Sequence, residues 1–153
     1  EAKEWQCERY LLTWKRPMVK LKEFENKPIG TSIALEEFVN SLSFNENGLI
    51  PAIAQDYKTK EVLMLAWMDK QSILHTLREG RVCYFSRSRQ SYWRKGEESG
   101  HTQLMKKMSI DCDGDSILLL VEQEGPACHT NRQTCFYFQV NEDTVSINSE
   151  PVS

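Results

Sequence analysis

Short apolar segments separated by polar turns fill the sequence from residue 49 onwards, and this alternation limits the fold more than any other feature. The longest unbroken apolar run covers only residues 117–121, whereas a helix needs about 20 apolar residues to cross a bilayer. Apolar runs of this length between turn-forming residues are typical of strands. We predict strands at 49–55, 61–66, 82–86, 91–94, 102–110, 116–122 and 134–140.

Two helical segments are predicted to accompany these strands. Apolar residues recur every three or four positions over about 32–42, and Ser32 could cap that helix. Asp69 is a suitable N-cap for a second helix, and Gly80 is a suitable stop. Because most strands follow one another in the second half, we predict an α+β fold, mainly an antiparallel β-sheet with a few short helices. A chain of 153 residues corresponds to about one domain, and we divide it into an N-terminal lead (1–46), a main domain (47–140) and a C-terminal tail (141–153).

The charge of the chain is small overall but unevenly distributed. A net charge of −3 and an isoelectric point near 5.7 argue against a general nucleic-acid binder, which usually has a value above about 9. Residues 81–107 carry seven basic and two acidic side chains, and residues 111–124 carry five acidic and no basic ones. This pattern indicates either an anionic ligand beside a cation site or two strands with solvated polar faces.

Cysteine usage indicates a reducing compartment. The count is five, and an odd number without a visible signal peptide argues against a secreted disulfide framework. We therefore expect a cytoplasmic protein without membrane segments. Cys112, Cys128 and Cys135 lie close together in the sequence, and three thiolates would leave the fourth position of a zinc ion open, as in catalytic sites. The alternative is that some of these cysteines are simply buried.

Three carboxylates alternate around the first of these cysteines, in the sequence DCDGD. If this segment is a strand, Asp111, Asp113 and Asp115 share one face and Cys112 points to the other. Carboxylates so close together repel one another unless a cation neutralises them, and oxygen ligands suit Mg²⁺ or Ca²⁺. An EF-hand loop is disfavoured because Ser116 stands where that motif needs glycine and because the flanks are strand-like.

Basic and aromatic side chains alternate in the stretch SRSRQSYWRKGEESGHTQ, residues 86–103. Arg87, Arg89 and Lys95 are candidates for contacts with phosphate, and Trp93 could stack on a flat ring. The same composition is compatible with RNA binding or with a polar edge strand. His129, next to Cys128, could carry protons, act as a fourth metal ligand or lie on the surface.

Taken together, these segments resemble the phosphoribosyl-AMP cyclohydrolase family. The residues that carry the resemblance extend from about Asn47 to Phe138. They are GLIPAIAQD, EVLMLAWM, SRSR, WRKGEESGH, DCDGD and GPACHT, followed by Cys135 and Phe136.

The resemblance implies a zinc-dependent hydrolase of the third step of histidine biosynthesis that also binds Mg²⁺. In that family, zinc-activated water attacks C6 of the adenine ring of 1-(5-phosphoribosyl)-AMP and opens the N1–C6 bond. The enzyme is an intimate homodimer whose zinc site is shared between subunits. The positions that match the zinc cysteines are Cys112, Cys128 and Cys135, and those that match the magnesium carboxylates are Asp111, Asp113 and Asp115.

Catalytic and binding roles follow from this resemblance. His129 is the candidate acid–base residue, and His101 is a second candidate, as proton carrier or metal ligand. Arg87, Arg89 and Lys95 are expected to contact the two phosphates of the substrate, and Trp93 to pack on the purine or support its strand.

The sequence departs from the family pattern at Asn131, where glycine is usual. Asparagine tolerates the left-handed conformation better than most residues, so the turn could be kept. A related but inactive protein and a zinc module that binds RNA are the alternatives. We expect no fused pyrophosphohydrolase domain in the 18 residues after Cys135.

Overall fold

The structure is a computed structural model and describes residues 20–152. The chain divides into two units, Glu1–Leu42 and Ser43–Ser153. The first contains a 3-10 helix at Leu21–Phe24 and helix α1 at Leu35–Ser41. Helix α1 lies within the predicted range of 32–42, but its N-cap is Ala34, so the prediction that Ser32 caps it is wrong. Cys7 and the first part of the predicted lead, residues 1–19, lie outside the described residues.

A six-stranded sheet forms the centre of the second unit. Its order is β4-β3-β2-β1-β6-β5, and the prediction of an α+β fold with a mainly antiparallel sheet is confirmed. One neighbouring pair is parallel, however: β1 runs beside β6, with Ala52 opposite Ile117. The strands are β1 (Ile50–Asp56), β2 (Val62–Met68), β3 (Cys83–Ser86), β4 (Ser91–Arg94), β5 (Gln103–Ile110) and β6 (Ile117–Gln123).

Helix α2, at Lys70–Glu79, joins β2 to β3 and ends as the sequence predicts. The Asp69 carboxylate accepts a hydrogen bond from the Ser72 amide at 2.8 Å, and the Ser72 hydroxyl accepts one from the Asp69 amide at 2.8 Å. This reciprocal capping satisfies two amides at the start of the helix. Gly80 ends it with φ +72°, a left-handed conformation that glycine adopts without strain.

The C-terminal part of the chain forms a separate two-stranded ribbon. It consists of β7 (Phe138–Val140) and β8 (Val145–Ile147). The strand predicted at 134–140 is therefore wrong over its first four residues, and β8 was not predicted. Residues 134 and 135 are not part of the ribbon because they donate hydrogen bonds to carbonyl groups of β2 instead. The Cys135 amide donates to Leu63 O at 2.7 Å and the Thr134 hydroxyl to Val62 O at 2.8 Å.

Most of the buried side chains of the sheet come from β1, β2 and β6, which contribute three each. On β6, Ile117, Leu119 and Val121 are fully buried, whereas Leu118 between them is 38% exposed. This alternation matches the two-residue period of a strand with one face in the core. None of the helices in residues 20–152 is long and apolar enough to span a membrane.

Candidate functional site

A cleft of about 450 Å³ opens beside the end of β4. One wall consists of residues between 95 and 101, directly after β4, and the other consists of residues in the loop 126–135. The cleft therefore brings together the basic aromatic stretch and the second cysteine segment of the sequence analysis. The predicted site residues that line it are Arg89, Trp93, Lys95, His101, Cys128, His129 and Cys135.

Cys128 and Cys135, the thiol pair, both line this cleft, and each thiol affects the pKa of the other. The loop between them is closed by the Cys128 amide, which donates to Arg132 O at 3.1 Å, and the Asn131 amide, which donates to Cys128 O at 3.0 Å. Asn131 has φ +61°, so the left-handed turn predicted at this position is present. The loop therefore brings two sulfur atoms, from cysteines seven residues apart in the sequence, to the same cleft.

The two thiols differ in how easily they ionise. Burial opposes ionisation of Cys128, but hydrogen bonds from Thr130, whose hydroxyl lies 3.0 Å from the sulfur, outweigh it and lower the pKa of this thiol. Burial and then the neighbouring Cys128 raise the pKa of Cys135 to about 11. Cys128 is therefore the thiol that ionises first, and a second negative charge beside it is unfavourable unless a cation lies close by.

Cys112 lies elsewhere, in the turn between β5 and β6. Ligand atoms of Asp111, Cys112 and Asp113 lie within 4.8 Å of one another, and all three residues are exposed. Among residues 20–152, this is the only such group of three or more His, Cys, Asp or Glu side chains. The three predicted zinc cysteines therefore do not meet within one chain.

The prediction that Cys112 points away from the carboxylates is wrong, because residues 111–115 form a turn instead of a strand. The Gly114 amide donates to Asp111 O at 3.1 Å, and the Asp115 amide donates to Asp111 Oδ1 at the same distance. Hydrogen bonding to Asp111 raises the pKa of Asp115, whereas the backbone amide of Asp115 lowers the pKa of Asp111. The strands on both sides also argue against the EF-hand, which requires helices.

Both candidate histidines face the cleft. His129 is exposed, and His101 is partly buried against Gly125. A Cβ atom at Gly125 would lie 2.7 Å from Cδ2 of the His101 ring. The imidazole of His101 is thus held by close contact with a loop that leads directly to Cys128. Sequence reasoning missed Gly125 and Thr130 as supports of the site, although both belong to the motif that contains Cys128 and His129.

The predicted phosphate-binding residues are not all in one place. Arg89 lies at the junction between the cleft and a second groove of about 530 Å³. The Arg87 guanidinium lines only this groove, 4.8 Å from the centre of the Trp67 ring. Trp93 borders both spaces and contacts Tyr84, with 5.3 Å between ring centres. An elongated ligand could therefore extend from the cleft into the groove past Arg89 and Trp93.

Lys95 is the buried member of the basic stretch. Its side-chain ammonium donates to Ala127 O at 2.7 Å, and the residue is 8% exposed. Burial lowers the pKa of Lys95, while Cys135 and Cys128 act in the opposite direction. Its ammonium therefore lies at the thiol end of the cleft.

Comparison with known proteins shows that the sequence is similar to one group of enzymes. The family model of phosphoribosyl-AMP cyclohydrolase matches residues 64–137. The protein of that name from Hydrogenovibrio crunogenus is 53% identical over 131 residues, which cover 86% of this chain and 89% of the relative. The one from Cereibacter sphaeroides strain KD131 is 57% identical over 112 residues, 73% of this chain and 94% of the relative. The one from Alcanivorax borkumensis is 50% identical over 131 residues, with 86% and 92% covered.

Proposed function

The chain belongs to the phosphoribosyl-AMP cyclohydrolase family, and from this premise we propose that it is the hydrolase of histidine biosynthesis that opens the adenine ring of 1-(5-phosphoribosyl)-AMP between N1 and C6. The observation that carries the proposal is the cleft itself. It brings two histidines, a thiol pair and basic side chains around a space of about 450 Å³, a size typical of small-molecule sites.

Cys128 and Cys135 are the residues that would hold zinc from one chain. Their chemistry fits the metal, because soft sulfur ligands select zinc and because one of these thiols already has a lowered pKa. When bound, zinc would lower the pKa of a water molecule to about 7 and so supply a nucleophile at neutral pH. Two sulfur atoms are too few for the three protein ligands of a catalytic site.

Cys112 of a second copy of the chain would supply the missing ligand. Cys112 is exposed in the β5–β6 turn, which leaves it accessible to another chain. Because it is separated from the thiol pair, one chain alone would not supply all three cysteine ligands. A two-fold symmetric homodimer would build two such sites. Asp111, Asp113 and Asp115, next to Cys112, would hold Mg²⁺ through their carboxylate oxygens.

Histidine side chains would move the protons of the reaction. Ring opening requires that a proton reach N1 as the bond to C6 breaks, and the exposed imidazole of His129 lies in the cleft beside Cys128. The more constrained His101 faces the same space and can accept a proton from the attacking water. Acid–base catalysis of this kind is typically worth about 10²–10⁴-fold in rate.

Substrate binding would use the cleft and the neighbouring groove together. The purine would lie against Trp93, and Arg89 and Arg87 would contact the phosphate groups, since a guanidinium offers two parallel hydrogen bonds to such oxygens. The 4.8 Å contact with Trp67 holds the Arg87 guanidinium against the wall of the groove.

Turnover of 1-(5-phosphoribosyl)-AMP by zinc-loaded protein with Mg²⁺, followed by ultraviolet absorbance, tests the proposal. We expect ring opening that disappears, together with zinc, in Cys128→Ser. Cys83→Ser is the matched control, because Cys83 is equally buried but lies outside the cleft, and it should retain both zinc and turnover. Absence of turnover from folded, zinc-loaded protein would instead identify an inactive relative.

The shared zinc site can be tested by mixing two inactive variants. Cys112→Ser keeps the thiol pair and Cys128→Ser keeps Cys112, so a mixed dimer contains one intact site. Random exchange of subunits should therefore restore about a quarter of the wild-type activity. If the mixture stays as inactive as its components, each site is built within one chain.

A further inference from the structure

A row of hydrogen-bonded side chains leads from the core of the sheet to the edge of the cleft. Gln103, at the start of β5, is fully buried, although glutamine is mostly an exposed residue. Its amide nitrogen donates to Oε1 of Gln123, its partner at the end of β6, at 2.8 Å. On its other side, the buried Tyr84 hydroxyl of β3 donates to Gln103 Oε1 at 2.7 Å. Tyr84, Gln103 and Gln123 thus form one continuous polar row across three strands.

The end of the polar row at the cleft determines the direction of all its hydrogen bonds. Gln123 Nε2 donates to His101 O at 3.2 Å and to Glu124 O at 3.0 Å. Backbone carbonyl groups only accept hydrogen bonds, so the nitrogen of the Gln123 amide faces them and its oxygen faces Gln103. Gln103 then donates to Gln123, and its own oxygen accepts from the Tyr84 hydroxyl, which stays protonated because burial raises its pKa. Each amide therefore has a single orientation that satisfies its partners.

The two carbonyl groups belong to the two segments that meet around the His101 imidazole. The His101 side chain faces the cleft, and Glu124 directly precedes Gly125, whose backbone lies close against the imidazole ring. The Glu124 amide also donates to Thr102 O at 2.9 Å, which joins the same two segments through the backbone. Because the ring lies against Gly125, the distance between these segments determines where the imidazole lies in the cleft.

We propose that Gln123 is a positioning residue for His101, a role that rests on the acid–base function of His101 in the hydrolase proposed above. Its amide nitrogen joins the backbone of His101 to the segment that carries Gly125, and the buried part of the polar row fixes the orientation of that amide. Gln123 is absent from the described residues that line the cleft. It therefore acts through His101 and not on the substrate.

Two substitutions of similar size remove the hydrogen bonds that Gln123 donates. Gln123→Glu keeps an oxygen for Gln103 but turns a second oxygen toward the two carbonyl groups, and Gln123→Met removes the donors without adding charge. Gln55→Glu is the matched control, because the Gln55 amide also donates to a backbone carbonyl, Lys60 O, at 2.8 Å and lies outside the cleft. Urea unfolding shows whether each variant is folded, and Gln123→Met carries the test if Gln123→Glu is not.

Two measurements on zinc-loaded protein separate positioning from a general contribution to stability. The first is the pair kcat and KM for 1-(5-phosphoribosyl)-AMP in the presence of Mg²⁺, together with the zinc content. The second is the NMR signal of the His101 imidazole, which can be resolved because the sequence has only three histidines. His75, in α2 and outside the cleft, gives the reference signal.

We expect Gln123→Glu and Gln123→Met to lower kcat about 10–100-fold and to leave KM within about threefold of the wild-type value. Zinc content should be unchanged, and the His101 signal should shift while the His75 signal does not. Gln55→Glu should change none of these quantities.

Unchanged kcat with an unchanged His101 signal in a folded Gln123 variant would overturn the inference. A raised KM with unchanged kcat would overturn it by assigning Gln123 to substrate binding, and loss of zinc would overturn it by assigning Gln123 to the metal site. Absence of turnover in the zinc-loaded wild type would instead refute the proposed function, whereas a shifted His101 signal would still support the positioning of that ring by Gln123.

Discussion

Replacing Gly125 with alanine should disturb catalysis more than folding. The residue has φ +66°, and a Cβ atom there would lie 2.7 Å from Cδ2 and 3.1 Å from Nε2 of His101. Real Cβ contacts are not this short, so one group must move. The His101 ring is a side chain that can rotate, whereas the Gly125 backbone is fixed by the loop that leads to Cys128. We therefore expect the imidazole to be displaced within the cleft.

Two other glycines allow the strain to be separated from the contact. Gly80 has nearly the same conformation, φ +72°, but nothing within 4 Å of a Cβ atom, so alanine there adds only the cost of a left-handed residue, about 1–2 kcal/mol. At Gly96 the Cβ atom would lie 2.4 Å from backbone atoms of His101 and Thr102, and forced overpacking adds about 1–3 kcal/mol. We therefore expect Gly80→Ala to destabilise the protein least, Gly125→Ala more, and Gly96→Ala most.

The order for activity should be different. A misplacement of about 1 Å in a catalytic group can cost about 100-fold in rate, so we expect a fall of this size in kcat for Gly125→Ala. Gly80→Ala, equally strained and remote from the cleft, should remain within about twofold of the wild type. Urea unfolding gives the stabilities, and turnover at saturating zinc and substrate gives kcat. The reasoning is refuted if Gly125→Ala and Gly80→Ala, both folded, have the same kcat.

Three further predictions concern single side chains. His129→Ala should lose about 10²–10⁴-fold in kcat while elemental analysis still finds zinc; loss of the metal would place His129 among its ligands. Asp113→Asn should weaken the response to Mg²⁺ without removing zinc, and an unchanged magnesium titration would refute the oxygen site. The hydrogen-bonded Arg94 guanidinium lowers the pKa of Glu79 below its usual 4.5. This contribution to stability is complete above the unfolded-state pKa and is lost as the pH falls through the lower folded value. Glu79→Gln should therefore lose less stability than the wild type between about pH 5 and pH 3, as measured by urea unfolding at each pH.

The local elements were predictable because their signals are contained in a few neighbouring residues. The limits of α2 follow from the carboxylate of Asp69, which caps the helix, and from the absence of a Cβ atom at Gly80, which permits the left-handed conformation. The parallel pairing of β1 with β6 was not predictable, because no local signal specifies which distant strand lies beside a given one. The predicted strands at 102–110 and 116–122 leave residues 111–115 between them, and the strand geometry considered for the alternating aspartates does not form there. Gly114, with φ +70°, marks a turn.

Most residues that line the cleft could be predicted from the sequence, but their spatial neighbours could not. Cys128, His129 and Cys135 share a short loop, so their proximity follows from their spacing. The separation of Cys112 from this pair depends on tertiary structure. The burial of Lys95 has the same origin, since only the packed loop places Ala127 O within reach of its ammonium.

The parallel pairing of β1 with β6 has a consequence for how the chain is synthesised. Ala52 and Ile117 are partners across 65 positions (117 − 52), so β1 emerges from the ribosome long before the strand that will cover it. Until then β1 is an unprotected edge, which is where nascent chains associate with one another. Ribosome-bound chains whose residues up to 115 have left the exit tunnel should therefore recruit chaperones or aggregate, whereas chains whose residues up to 123 have left it, so that β6 is available, should not. Equal solubility of the two lengths would show that β1 needs no such cover.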